Sequence, residues 1–213
     1  MPLITKIIIT ALVGFAATTL SLAQATQSSA TPSDGPGLIG KRYVGLDLFT
    51  VDYRDSGSNN ANGVTVFLNA PIHTYLDLTE GGAYVERVNH TVKDDWKQVF
   101  ASLTAHTTIN RVTPFFDVGL THSNFTTNFF GPELHSEFTY YQVGAGFEIP
   151  LGQRANLALR SGGEANTQAG SKFYWQQTIK GAYWLTPRVA SVAAVSFYER
   201  LSVFYDLGIR FVF

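Results

Sequence analysis

Val203-Phe204-Tyr205-Asp206-Leu207-Gly208-Ile209-Arg210-Phe211-Val212-Phe213 closes the chain. Taken two at a time from the end, one face carries Phe213, Phe211, Ile209, Leu207, Tyr205 and Val203, and the other carries Val212, Arg210, Gly208 and Asp206. Successive side chains of a strand point to opposite faces, so this is a period-2 strand with one apolar face and one mixed polar face. It runs to the terminal residue, and that residue is aromatic. In a soluble fold such an end needs a core to cover it. In a transmembrane barrel it is what a closing strand requires, apolar toward lipid and polar or small toward the lumen. An edge strand of a soluble sandwich is the competing reading of this stretch taken alone.

Composition favours the barrel. Of 213 residues, 14% are aromatic and 15% charged, against about 25% charged in an average soluble chain. Beyond residue 25 no apolar run reaches the ~20 residues of a membrane helix. The formal net charge of -1 offers no field for nucleic acid. With no cysteine, disulfides, thiol chemistry and thiolate metal sites are excluded. Neither a cofactor nor a metal is expected.

Residues 1–25 have the parts of a secretory signal peptide: Lys6, the apolar stretch Ile7 to Leu22, and the small-x-small site Ala23-Gln24-Ala25, with cleavage expected after Ala25. An N-terminal membrane anchor is the other reading of this segment. Residues 26–40 (TQSSATPSDGPGLIG) lack periodicity and predict a flexible periplasmic lead-in. The barrel is expected over 41–213.

Pro71, Pro114, Pro150 and Pro187 recur at nearly even intervals, and proline belongs at strand ends and turns. Before and between them lie polar breaks at Asp55–Gly63, Asn89–Asp95, Asn124–Glu137 and Asn166–Ser171. Short turns alternating with longer polar loops are the asymmetry of outer-membrane barrels. Four proline turns separate five hairpins, which predicts an all-β, closed antiparallel up-and-down barrel of ten strands over 42–53, 63–70, 74–88, 96–108, 114–123, 138–149, 155–165, 172–185, 188–199 and 202–213. The only break in the last hairpin is Glu199-Arg200-Leu201, which leaves eight strands as an alternative. The 188–199 strand is small and apolar on both faces and cannot be oriented. Elsewhere the polar faces are rich in Gly, Ser, Thr, Gln and aromatics with few charges, which suits a crowded lumen better than a solvent face. Aromatics near strand ends (Tyr43, Trp96, Phe115, Phe116, Phe138, Tyr140, Tyr141, Phe173, Tyr174, Trp175, Tyr183, Trp184, Phe211, Phe213) are expected to form two interfacial girdles.

Taken together, residues 41–213 resemble the small Gram-negative outer-membrane β-barrels of the OmpA-transmembrane-domain, OmpX and opacity-protein type. The resemblance lies in architecture and in the terminal strand, not in a catalytic motif. It implies a monomer in the outer membrane, in contact with its lipid and lipopolysaccharide. It also implies insertion by the barrel-assembly machinery, which reads the signal carried here by Tyr205, Leu207, Ile209, Phe211 and Phe213.

Candidate site residues follow from the lumen face. Asp47, Asp77, Asp117, Glu148 and Asp206 are acidic, Arg160, Lys180 and Arg210 basic, and in a closed barrel Asp47 comes near Arg210. Buried charges must be paired, so the set reads as an ion-pair network filling a narrow lumen, with a small-solute or ion path as the alternative. His106 falls on the lumen face. His122-Ser123-Asn124 invites comparison with outer-membrane lipid A deacylases, with Glu137 or Glu133 as the acid, but adjacent strand residues face opposite ways. Asp94-Asp95 is read as a loop pair rather than an omptin-like protease site. Asn124–Pro132 sets three Phe in a polar loop, a candidate for contact with a partner or for folding back over the mouth. The resulting expectation is a structural or surface-interaction barrel, not an enzyme, with a narrow porin and a lipid A-modifying hydrolase as alternatives.

Overall fold

The computed structural model describes residues 35–53, 60–89, 92–128, 133–168, 170–199 and 202–213. The expected leader, most of the lead-in, His90, and Phe129 to Pro132 of the aromatic loop lie outside the described residues. Ten strands follow one another: β1 Tyr43–Tyr53, β2 Ala61–His73, β3 Leu76–Asn89, β4 Val92–His106, β5 Thr113–Asn128, β6 Glu133–Leu151, β7 Ala155–Asn166, β8 Tyr174–Thr186, β9 Val189–Tyr198 and β10 Ser202–Val212. Each pairs antiparallel with its sequence neighbours, and β1 pairs with β10 to close the barrel. The eight-strand alternative falls, because Ser202 pairs with Tyr198 and the β9–β10 ladder continues to Phe211 opposite Val189.

One rim holds the turns after β2, β4, β6 and β8 with both ends of the barrel sheet; we call it the terminal rim and its opposite the loop rim. Pro187 occupies a turn there, whereas Pro71, Pro114 and Pro150 sit in the last or first residues of strands, and Pro71 lies at a register shift. Those positions ask least of the missing amide. At the loop rim the described residues of two expected loops are strand. Asn89 pairs with Val92, and β5 and β6 pair from Thr113–Glu148 out to Asn128–Glu133. Their polar composition signalled exposure, not loss of the ladder.

The faces sort as alternation demands. Leu207 and Phe213 are each 68% exposed on the outer surface, while Arg210 on the other face is 4% exposed. Pairing also orients β9. Ala190 and Val192 are buried inward, and Phe197 is exposed outward. The girdles are thinner than expected. Phe116, Tyr141, Trp175, Tyr183, Phe211 and Phe213 face outward, but Tyr43, Trp96 and Trp184 pack inside. Their phase in the strand, not their nearness to a strand end, decides the side.

Two apolar clusters line the interior. Near the terminal rim Leu38, Tyr43, Ala182, Trp184, Ala190 and Val192 pack together; toward the loop rim Val51, Ala61 and Val85 pack with Phe49, Tyr53, Trp96 and Phe204. The first cluster corrects the expectation of a flexible lead-in as far as its described end, residues 35–40. Leu38 is 2% exposed, and Trp184 Nε1 donates to the carbonyl of Pro36 at 2.6 Å. Burying a leucine side chain contributes about 2 kcal/mol, enough to hold a short segment that composition alone reads as loose.

Candidate functional site: the lumen

At the seam, Asp47 lies opposite Gly208 and Gly45 opposite Arg210, so the acid and the base meet on a diagonal. Arg210 Nη1 donates to Asp47 Oδ1 and Nη2 to Oδ2, the latter at 2.9 Å, a bidentate pair. A Cβ at position 208 would overlap the Asp47 carboxylate. The guanidinium also lies over the Phe67 ring, 4.6 Å from its centroid.

A second pair spans neighbouring hairpins. Arg160 donates from Nε to Asp117 Oδ2 at 2.9 Å and from Nη2 to Oδ1 at 2.6 Å, and its Nη1 reaches Gln176 Oε1 at 3.0 Å. Gly144 leaves room for this guanidinium: a Cβ there would sit 2.5 Å from Arg160 Cζ.

The other two acids hold the lead-in. Glu148 accepts from the amides of Leu38 at 3.0 Å and Ile39 at 3.3 Å, and from Asn156 Nδ2. Asp77 accepts from the amide of Gly40 at 2.8 Å and from Asn69 Nδ2 at 3.3 Å, and its Oδ1 lies 3.3 Å from His106 Nε2. Backbone amides therefore serve as partners for carboxylates that sequence reasoning matched only to basic side chains. Lys180 and Asp206 stand on either side of Ala194, each opposite it in register, and no ion pair joins them. Lys180 instead faces a cavity of ≈ 220 Å³ shared with Asp77, Asp117, Glu148, Arg160 and Arg210.

A separate polar cluster, absent from the sequence expectations, lies toward the loop rim. Asp94 is buried inward, accepting from Arg87 and from Thr127 Oγ1 at 2.8 Å. The Arg87 guanidinium sits 5.4 Å from the Tyr53 ring centroid. Asp95 alternates to the outer face, so the two acids do not form a loop pair.

The hydrolase candidates are not brought together. His122 faces outward with Nδ1 3.1 Å from Thr139 Oγ1. Ser123 is buried inward and accepts from Gln98 Nε2 at 2.8 Å. Glu137 is exposed, opposite Asn124. The terminal-strand residues Tyr205, Leu207, Ile209, Phe211 and Phe213 are all exposed on the outer surface. Among the described residues no group of His, Asp and Glu side chains could hold a metal ion. Sequence reasoning missed Asn69, Asn156 and Arg87, although strict continuation of the period-2 phase puts each inward. It missed Glu80 for the converse reason: in phase with Leu76 and Leu78, this residue faces outward.

Comparison with known proteins gives one family. The outer membrane protein beta-barrel domain matches residues 11–184. No curated protein matches the sequence. Solved structures similar in fold include neisserial surface protein A (11% identity, TM-score 0.46, covering 81% of this chain and 97% of that one). Ail, the attachment invasion locus protein of Yersinia pestis, has 13% identity and a TM-score of 0.41 over 81% of this chain and 97% of that one. The KdgM porin has 10% identity and a TM-score of 0.44 over 79% of this chain and 99% of that one.

Proposed function

The chain belongs to the outer membrane protein beta-barrel domain family, and from that membership we propose an outer-membrane barrel with a stoppered lumen that acts through the sheet it raises at the cell surface. Short turns and chain ends mark the periplasmic side of such barrels, so the terminal rim faces the periplasm and the loop rim the exterior. The leader is cleaved after Ala25, giving Thr26 as the first mature residue, and the assembly machinery reads the terminal strand. The barrel works as a monomer with respect to its own copies, surrounded by lipid and lipopolysaccharide.

The observation that carries this reading is the edge of β6. Its ladder with β7 begins at Tyr140, yet β6 starts at Glu133, so Glu133–Phe138 pair only with β5 among the described residues. Unpaired amides and carbonyls on a projecting edge are a template for an added strand. The interior supports the same reading. The lead-in closes one mouth, an aromatic cluster narrows the other, and most lumenal charges between them are matched. A porin needs a continuous wet path, and a lipid A hydrolase needs a base beside its nucleophile; neither fits the residues described.

Two measurements test the proposal together. In planar bilayers the purified protein is expected to be silent, and a large, steady conductance overturns the stoppered lumen. Alternate amides of a strand point to opposite sides, so one of His135→Pro and Ser136→Pro removes a free-edge donor while sparing the β5 ladder. Cells displaying the wild-type chain are expected to be retained on surfaces coated with extracellular proteins, and that variant to lose about tenfold in affinity at equal barrel display. Equal retention overturns the surface role.

A further inference from the structure

Lipid offers no hydrogen-bond partner, so a polar group on the outer face of a spanning barrel must find one in protein. Other outward polar side chains do so within the chain. Gln177 Nε2 donates to Ser161 Oγ at 3.0 Å, and Ser191 Oγ donates to the carbonyl of Tyr183 at 3.3 Å. Glu80 has neither a hydrogen bond nor an ion pair among the described residues, and it is only partly buried.

Register fixes where Glu80 lies. It is opposite Leu68 on one side and Ala101 on the other, both outward-facing. On its own hairpin, aromatic Tyr75 marks the terminal rim, and Tyr84, opposite Lys97, marks where the outer face turns polar. Glu80 sits midway between them, at the depth of the hydrocarbon. Among the described residues it is the only charged side chain on the outer face at that depth. An ionisable group there is costly and marks function by default. Its flanks, Gly82 and Ala101, are small and permit close approach of another backbone.

We propose that Glu80 marks a docking site for a second integral membrane protein, one that presents a basic side chain at the same depth. Charge selects the occupant. A second copy would sit in the bilayer in the same orientation and meet Glu80 with its own described outer face, which carries no cation at that level. A lipid headgroup lies too far toward the interface. A basic side chain from a different protein supplies both the charge and the hydrogen bonds that lipid cannot.

A lipid-soluble carbodiimide, which forms an N-acylurea on carboxyl groups within its reach, tests the site. Glu80 of the purified barrel in phosphatidylcholine vesicles is expected to be labelled. In the native outer membrane it is expected to be protected about fivefold, a difference of about 1 kcal/mol in availability. No labelling in vesicles, or equal labelling in both settings, overturns the proposal. A photo-crosslinking residue at Ala101 then reads the occupant. A heterologous adduct is expected in native membranes, retained by Glu80→Asp and reduced about tenfold by Glu80→Gln, with heat-modifiable gel migration showing each variant folded. An adduct of twice the chain mass, or one indifferent to Glu80→Gln, overturns it.

Discussion

The two halves of the lumen solve the same problem with different chemistry. Toward the terminal rim, most charged side chains are satisfied one by one, Arg210 on Asp47, Arg160 on Asp117, and lead-in amides on Glu148 and Asp77, while Lys180 and Asp206 form no ion pair with each other. Toward the loop rim the described inward side chains are mostly aromatic, with Phe204 between Phe49 at 6.2 Å and Tyr198 at 4.9 Å, and the buried acid Asp94 is matched to Arg87. The first half depends on directional contacts and fails when one partner goes. The second depends on volume and fails gradually. Lumenal polarity thus says little about conduction: the more charged half is the one more tightly tied.

The sharpest way to break this contrast is Arg210→Ala. It leaves Asp47 buried without its partner, and removing one member of a buried pair costs about 3–5 kcal/mol. Urea unfolding in lipid vesicles is expected to show that loss, and part of it is expected to return in the double variant with Asp47→Ala. Next in size is Phe204→Ala in the aromatic half. A fully buried ring would cost about 3–5 kcal/mol, and this partly buried one about 2; the loss should be reduced by Phe204→Leu, which no charged site would tolerate in the same way. Glu148→Gln is expected to cost least, about 1–2 kcal/mol, because the amide oxygen still accepts one bond. Its clearer sign is local: limited proteolysis should cut near residues 35–40 while the barrel stays intact. Protection equal to wild type would show that Leu38, Trp184 and Asp77 hold the segment without Glu148.

Much of this was legible in the residues. The proline turns and polar breaks counted ten strands, with eight as the alternative, and alternation gave the sides of most of them. Asp47 and Arg210 were readable because a closed barrel must bring its first and last strands together. The misreadings share a cause. Asn89–Asp95 and Asn124–Glu137 read as loops because polarity was taken as a signal of irregular backbone, whereas a strand beyond the bilayer can be polar on both faces. The lead-in read as loose because Gly37 to Gly40 has no period, and nothing local reveals that Glu148, far along the chain, waits for its amides. The strand 189–198 could not be oriented because Ala, Ser and Val suit either side; only its opposition to Arg210 and Trp184 decides. Glu80 was within reach, since its phase alone sets it among lipid-facing residues.

The β1–β10 seam has a consequence for the girth of the barrel. All other ladders join sequence neighbours, whose turns limit slippage; the seam has no turn. A one-residue slip would turn every side chain to the wrong face, but a slip of two keeps all faces correct, so greasiness cannot forbid it. Electrostatics and one vacancy can. Slipped one way, Asp47 stands opposite Asp206, acid against acid; slipped the other, it stands opposite Arg210 itself, so that only the lost space of Gly208 opposes the slip. Seam register sets the stagger of the closed sheet, and stagger with strand number sets its diameter. Two ionised side chains and one absent methyl group thus act as a gauge for the width of the whole cylinder.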